Sequence, residues 1–123
     1  MELKEFKKIH FIGIGGIGMS AIAHYFLSNN YKISGYDKVK SEITIKLESK
    51  GAEIFYRDDP NLILENDKVD LVIYTPAIVK SNLQYQYFKK KRIPLLKRAE
   101  ILGEITSLYN TIAVAGTHGK TTT

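Results

Sequence analysis

Lys8-Ile9-His10-Phe11-Ile12-Gly13-Ile14-Gly15-Gly16-Ile17-Gly18-Met19-Ser20 is the stretch that decides the fold. Its first part, Lys8 to Ile14, is dominated by isoleucine and phenylalanine and predicts a buried strand. From Ile17 to Asn29 the apolar residues Met19, Ile22, Ala23, Phe26 and Leu27 recur at helical spacing, so a helix follows directly. A strand, a glycine turn and a helix in that order form the phosphate-binding start of a parallel α/β sheet. The glycines serve different ends. Gly13 allows the tight turn, Gly15 the approach of backbone to a diphosphate, and Gly18 close helix–strand packing. The N–H groups at the helix start then face the phosphate oxygens with the positive end of the helix dipole behind them, and Ser20 adds a hydroxyl nearby. Asp37 follows Gly18 by 19 residues, where an acid meets a ribose hydroxyl. A glycine-rich turn that binds nothing is the plain alternative, and the strand, helix and acid together favour a nucleotide. Which nucleotide stays open, since NAD, FAD and a UDP-sugar all present a diphosphate.

Outward from this unit the chain alternates short apolar runs with helical stretches, as a parallel sheet requires. Tyr31 to Tyr36 predicts a second strand. Ser41 stands as N-cap of a helix from Glu42 to Lys50, which Gly51 ends. Glu53 to Tyr56 predicts a third strand, and Asp58 to Asp67 a loop with a helical turn begun at Pro60. Val69 to Tyr74 is the clearest strand, stopped by Thr75-Pro76. Asn82 to Lys91 predicts a helix, Pro94 to Leu96 a short strand, Ala99 to Leu108 a helix and Thr111 to Ala115 a last strand. The expected fold class is α/β, a Rossmann-like three-layer domain with a parallel sheet of about five strands. That domain covers residues 1–108, and residues 109–123 read as the opening of a second one.

Composition narrows the function. The 123 residues are 44% hydrophobic and 25% charged, ordinary for a domain that buries its own core. Cysteine is absent, which excludes disulfides, thiolate zinc sites and a cysteine nucleophile, and fits a cytoplasmic protein. The charged N-terminus lacks the apolar centre of a signal peptide and leads directly into a strand. No apolar run approaches the roughly 20 residues that cross a bilayer, so no membrane partner is expected. The net charge is +5, with its densest part, Lys89 to Arg92, closing a helix whose dipole it complements. No nucleic-acid partner is expected, and a small anion such as a diphosphate gains equally from a positive domain. Tyr85, Tyr87 and Phe88 read as core and rim of that helix rather than as a base-stacking platform. His10 and His24 have no metal-ligand partner at usable spacing and read as packed or capping residues, and no Ser-His-Asp constellation is evident.

A second glycine loop, Ala115-Gly116-Thr117-His118-Gly119-Lys120-Thr121-Thr122, follows the last predicted strand. Its backbone N–H groups suit phosphates, Lys120 reaches the outer ones, Thr121 offers a hydroxyl to Mg²⁺, and His118 is a weaker phosphate contact. The loop is shorter than the usual Gly-x-x-x-x-Gly-Lys, which would need glycine at Val114. With the chain ending at Thr123, no Walker-B acid or adenine pocket follows, so the chain alone is expected to hold no ATP and to be inactive.

The two loops together resemble the Mur ligases of peptidoglycan synthesis. The run from His10 to Ala23 looks like the branch that joins L-alanine to UDP-N-acetylmuramate, as do Gly35-Tyr36-Asp37 with Ser41, Tyr74-Thr75-Pro76-Ala77-Ile78, and Ile93 to Glu100. The resemblance spans the whole chain. It implies three domains in the whole enzyme, for UDP-sugar, ATP and amino acid, with this chain covering the first. The implied chemistry is ATP- and Mg²⁺-dependent amide formation: a carboxylate becomes an acyl phosphate, which the amine of L-alanine attacks, with Lys120 neutralising phosphoryl charge. Carried over by position, Gly13, Gly15, Gly16, Ile17, Gly18, Met19 and Ser20 hold the diphosphate of UDP-N-acetylmuramate. Asp37 and Ser41 lie toward the nucleoside, and Thr75, Pro76 and Ala77 line the pocket. Gly116, Thr117, His118, Gly119, Lys120, Thr121 and Thr122 hold ATP. Two features depart from the family pattern. Thr75-Pro76 stands where relatives often have two serines, and residues 55–60 lack an expected Gly-His pair. Three other readings compete: the related ligase that recycles murein tripeptide, which carries a similar second loop but usually lacks the Gly-Ile-Gly-Gly-Ile-Gly run; an NAD-binding Rossmann module, which has no use for the second loop; and a folylpolyglutamate-type ligase, which begins with its ATPase domain.

Overall fold

The computed structural model describes residues 3–62, 68–77 and 81–105. Five strands form one sheet: β1 (Lys8–Ile12), β2 (Lys32–Tyr36), β3 (Glu53–Phe55), β4 (Leu71–Tyr74) and β5 (Leu95–Lys97). All neighbouring pairs run parallel, in the order β3-β2-β1-β4-β5. The chain therefore starts at the middle of the sheet, builds outward to one edge, then crosses to the other side of β1. This is a doubly wound order, and the reversal at β1 leaves a crevice at the carboxyl ends of β1 and β4.

The helices α1 (Ile17–Ser28), α2 (Glu42–Ser49) and α3 (Leu83–Lys90) connect the strands, and residues 98–105 are helical (α4). Side chains alternate across a strand, so β1 supplies both layers of the core. Ile9 and Phe11 face a cluster with Met19, Ile22, Ala23 and Phe26 of α1, Leu47 of α2 and Ile101 of α4. Ile12 faces the opposite layer with Tyr36, Val72 and Phe88 of α3. The aromatic residues of α3 thus serve packing: Phe88 is buried, and Tyr85 meets Tyr74 edge-on at 5.1 Å. Asp70 ties the start of the sheet together, its carboxylate accepting from the N–H groups of Lys7 and Lys8 at 2.8 and 3.0 Å.

The elements agree with the sequence pattern, with boundaries moved by a residue or two. Two differences have plain causes. The N-terminus does not lead directly into a strand: Leu3–Glu5 forms a 3₁₀ turn, with Leu3 buried and its carbonyl accepting from the Tyr31 hydroxyl at 2.9 Å. The strand expected at Pro94 to Leu96 is Leu95–Lys97. The Pro94 carbonyl accepts from the Val72 N–H at 2.9 Å, but proline has no N–H to continue the ladder. Among the described residues no helix is long and apolar enough to cross a membrane. The expected strand at 111–115, the domain boundary at 108 and the second glycine loop lie outside the described residues.

Candidate nucleotide site

The glycine turn is built on the end of β2. Gly13 takes φ of 92°, a conformation that favours glycine, and the N–H groups of Gly13 and Ile14 both donate to the Tyr36 carbonyl at 2.7 and 3.0 Å. The chain thus turns over the neighbouring strand and drops Ile14 into the core beside Gly35. A Cβ at Gly35 would come within 2.6 Å of the Ile14 side chain, so the glycine that closes the packing is Gly35 and not Gly18.

Gly15 has a partner of its own. Its N–H donates to Asp37 Oδ2 at 2.8 Å, and Asp37 Oδ1 accepts from the Val39 N–H at 3.0 Å. A Cβ on Gly15 would lie 2.7 Å from that carboxylate oxygen and 3.1 Å from the Thr44 methyl. Asp37 therefore braces the loop from the end of β2.

Beyond Gly15 the helix begins without a cap. Gly16 is the N-cap residue and offers no side chain, and the N–H groups of Ile17, Gly18 and Met19 find no acceptor among the described residues. The guanidinium of Arg98, at the start of α4, lies over this turn, with its nearest nitrogen 2.7 Å from where a Gly18 Cβ would be. Arg98 has no acidic partner among the described residues. A cation beside a helix N-terminus is unfavourable by itself, and an anion between them satisfies both.

The starts of α2 and α3 are sealed. Ser41 Oγ accepts from the Thr44 N–H while Thr44 Oγ1 accepts from the Ser41 N–H, a reciprocal capping box on α2. On α3, Asn82 Oδ1 accepts from the Tyr85 N–H, and the Asp58 carboxylate accepts from those of Leu83 and Gln84. At α4, Glu100 reaches back to the Lys97 N–H at 2.9 Å, and among the described residues no side chain caps the first-turn N–H groups of that helix.

A cleft of about 520 Å³ opens at the carboxyl ends of the strands. Of the residues expected to form the site, it brings together Gly13, Gly16, Asp37, Thr75 and Ala77. The rest have other surroundings. Met19 is in the core, and buried Ser20 donates its hydroxyl to the Ile17 carbonyl at 3.0 Å. Ser41 caps α2, Ile17 projects with 82% exposure, and exposed Pro76 follows Thr75, whose Oγ1 accepts from the Ala77 N–H at 3.4 Å. Lys120 and the other residues of the second loop, Gly116 to Thr122, are outside the described residues. The cleft also contains Tyr36, Lys38, Asp58 and Asn82, which no sequence motif singled out as ligand contacts. Asn82 caps α3, and asparagine before a helical stretch is the local signal that could have marked it. Arg98 carried none as a contact, because only the turn from β5 into α4 brings it to the glycine loop.

The acidic side of the cleft is felt by Tyr36, whose phenol is pushed up by burial and then by the charges of Asp58 and Asp37. Behind it, His10 is fully buried and bonded through both ring nitrogens, to Ser34 at 2.7 Å and Gln84 at 2.8 Å. Burial lowers its pKa from 6.5 to about 4, against the raising effect of the Gln84 bond and with a smaller push from Lys8. His24 is half-buried on α1, and no group of three or more potential metal ligands occurs among the described residues.

Comparison with known proteins gives a consistent result. The Mur ligase family, catalytic domain, matches residues 8–110. The UDP-N-acetylmuramate–L-alanine ligase of Flavobacterium johnsoniae is 49% identical over 125 residues, covering 100% of this chain and 28% of its own length. That of Christiangramia forsetii is 46% identical over 126 residues, covering 99% and 28%. The crystal structure of UDP-N-acetylmuramate–alanine ligase from Thermotoga maritima superposes with a TM-score of 0.75 at 34% identity, over 81% of this chain and 23% of that one. The chain thus spans little more than a quarter of the length of the curated relatives it matches. With a glycine loop, a bare helix start and a five-stranded parallel sheet all lying within the matched stretch, the chain belongs to the Mur ligase family.

Proposed function

We propose that the chain is the UDP-N-acetylmuramate-binding part of a ligase that joins L-alanine to that nucleotide sugar in peptidoglycan synthesis, in the cytoplasm. The observation that carries this is the uncapped start of α1, opening beside the cleft with Arg98 above it. The diphosphate lies on the N–H groups of Ile17, Gly18 and Met19, with Arg98 as its charge partner. Asp37 keeps Gly15 in place and borders the nucleoside side of the cleft. The names of the relatives support the sugar and the amino acid, and family membership favours this reading over an NAD-binding module.

ATP and Mg²⁺ belong to the same reading, through Gly116 to Thr122, with Lys120 on the phosphates and Thr121 on the metal. When bound, they supply the phosphoryl group that turns a carboxylate into an acyl donor. The chain by itself is expected to bind the sugar without completing the reaction.

Titration of the chain with UDP-N-acetylmuramate and, separately, with NADH tests the proposal by amide chemical shifts. Perturbation of Gly16 to Met19 by the UDP-sugar is expected. Perturbation by NADH alone would sink the ligase reading. Lys120→Ala should leave UDP-sugar affinity nearly unchanged, and a tenfold loss would mean that the two loops do not divide the work as stated.

A further inference from the structure

A continuous chain of buried polar side chains runs through the interior to the wall of the cleft. His10 is on β1, Ser34 on β2 and Gln84 on α3, and all three are buried. The Gln84 side-chain amide donates to the Arg57 carbonyl at 3.3 Å, which turns its Oε1 toward His10 at 2.8 Å. With an acceptor facing it, His10 Nε2 carries the proton, and Nδ1 accepts from the Ser34 hydroxyl at 2.7 Å. Every polar group in the chain is satisfied with the imidazole neutral, the state its burial also enforces.

The far end of this chain is the segment after β3. Gln84 grips the Arg57 carbonyl with its side chain and the Asp58 carboxylate with its backbone N–H, at 3.0 Å. Asp58 lines the cleft, as does Asn82, the cap residue two positions before Gln84. Residues 57 and 58 follow a strand of only three residues, so little else in the sheet fixes their position. The buried face of α3 does so, and its polar anchor is His10.

We propose that His10 is a positioning residue for the nucleotide cleft, holding its Asp58 wall through Gln84. The proposal rests on the reading of this cleft as the UDP-sugar site. It predicts that the two sides of the imidazole are not equivalent: the Nε2 side governs the cleft, and the Nδ1 side only the core.

Four variants of the 123-residue chain separate them. His10→Gln retains a donor that reaches Gln84, whereas His10→Asn retains a group near Ser34 and falls short of Gln84. Gln84→Met keeps the volume and removes the link, and Ser34→Ala removes only the other end. UDP-N-acetylmuramate affinity is expected to fall about tenfold in His10→Asn and Gln84→Met and to stay within about twofold in His10→Gln and Ser34→Ala. Amide hydrogen exchange at Leu83, whose N–H is held by Asp58, should speed up in the first pair only. A common affinity in all four, or losses that follow urea stability alone, would overturn the proposal. If the unaltered chain does not bind the sugar, the functional reading fails, and Leu83 exchange still decides whether His10 holds the wall.

Discussion

The helices α1 and α2 leave adjacent strands of the same sheet, yet their first turns are opposites. The start of α2 is closed by its own sequence, Ser41 and Thr44 satisfying each other's backbone. The start of α1 has glycine at the cap, three N–H groups without an acceptor among the described residues, and an arginine from a distant part of the chain laid over it. An uncapped helix start is a cost to folding, and a diphosphate on the α1 start, as proposed, would offset it where α2 and α3 use their own side chains. The difference also separates the glycines. Gly15 is hemmed in by Asp37 and Thr44, whereas the nearest atoms to a Gly18 side chain belong to the flexible side chain of Arg98.

The strongest way to break this comparison is Gly15→Val. Its side chain would collide with Asp37 and Thr44, and overpacking of this kind costs about 1–3 kcal/mol. UDP-sugar binding should become undetectable by calorimetry, and the urea midpoint should fall. If binding survives, the brace between Gly15 and Asp37 is dispensable.

Acid should act on the sealed side of the molecule. The His10 pKa is about 4 in the fold against 6.5 when exposed, so between these values the unfolded chain takes up the proton more readily. Its contribution is complete above about pH 6.5, declines as the pH falls, and is gone near pH 4, a loss of roughly 3 kcal/mol. Urea unfolding across that range checks this, with His10→Gln expected to flatten the profile.

Arg98→Ala should weaken UDP-sugar binding about tenfold with little change in folding, since a charge-assisted contact contributes roughly 1.5–3 kcal/mol. Raising the salt concentration should narrow the gap between the two proteins. Gly18→Ala sharpens the point: alanine favours the helix by up to about 1 kcal/mol but displaces the guanidinium, so stability should hold or rise while affinity drops. The smallest effect belongs to the closed end. Ser41→Ala should cost about 1 kcal/mol of stability and leave the Kd unchanged. A change in Kd would mean that the start of α2 is part of the site.

Much of the fold was legible because its signals are local. The apolar runs of β1 and β4, the spacing of Met19, Ile22 and Phe26, and the Ser41 cap each lie within a few residues. Less of the site was legible. Gly13 and Asp37 were placed by the glycine pattern, and the cleft contains both. Ser20, equally well placed in sequence, bonds its own helix, because rotation about the helix axis and not sequence distance decides which side chains face a ligand. Arg98, Asp58 and Asn82 reach the glycine loop or the cleft from separate crossovers, and no local pattern relates them to the glycine loop. The anchoring of Asp58 by Gln84 lies in a segment whose one sequence signal was the lack of the family's Gly-His pair.

The edge strands β3 and β5 are three residues each. A sheet edge is a template on which another chain can add a strand, and its hazard grows with the length of unpaired backbone it offers. Here the longer strands, β1, β2 and β4, are interior, and the edges among the described residues are short, with exposed Glu53 and Lys97 among them. Among the described residues, strand order itself thus limits the backbone open to edge-to-edge pairing, since the shortest strands are outermost.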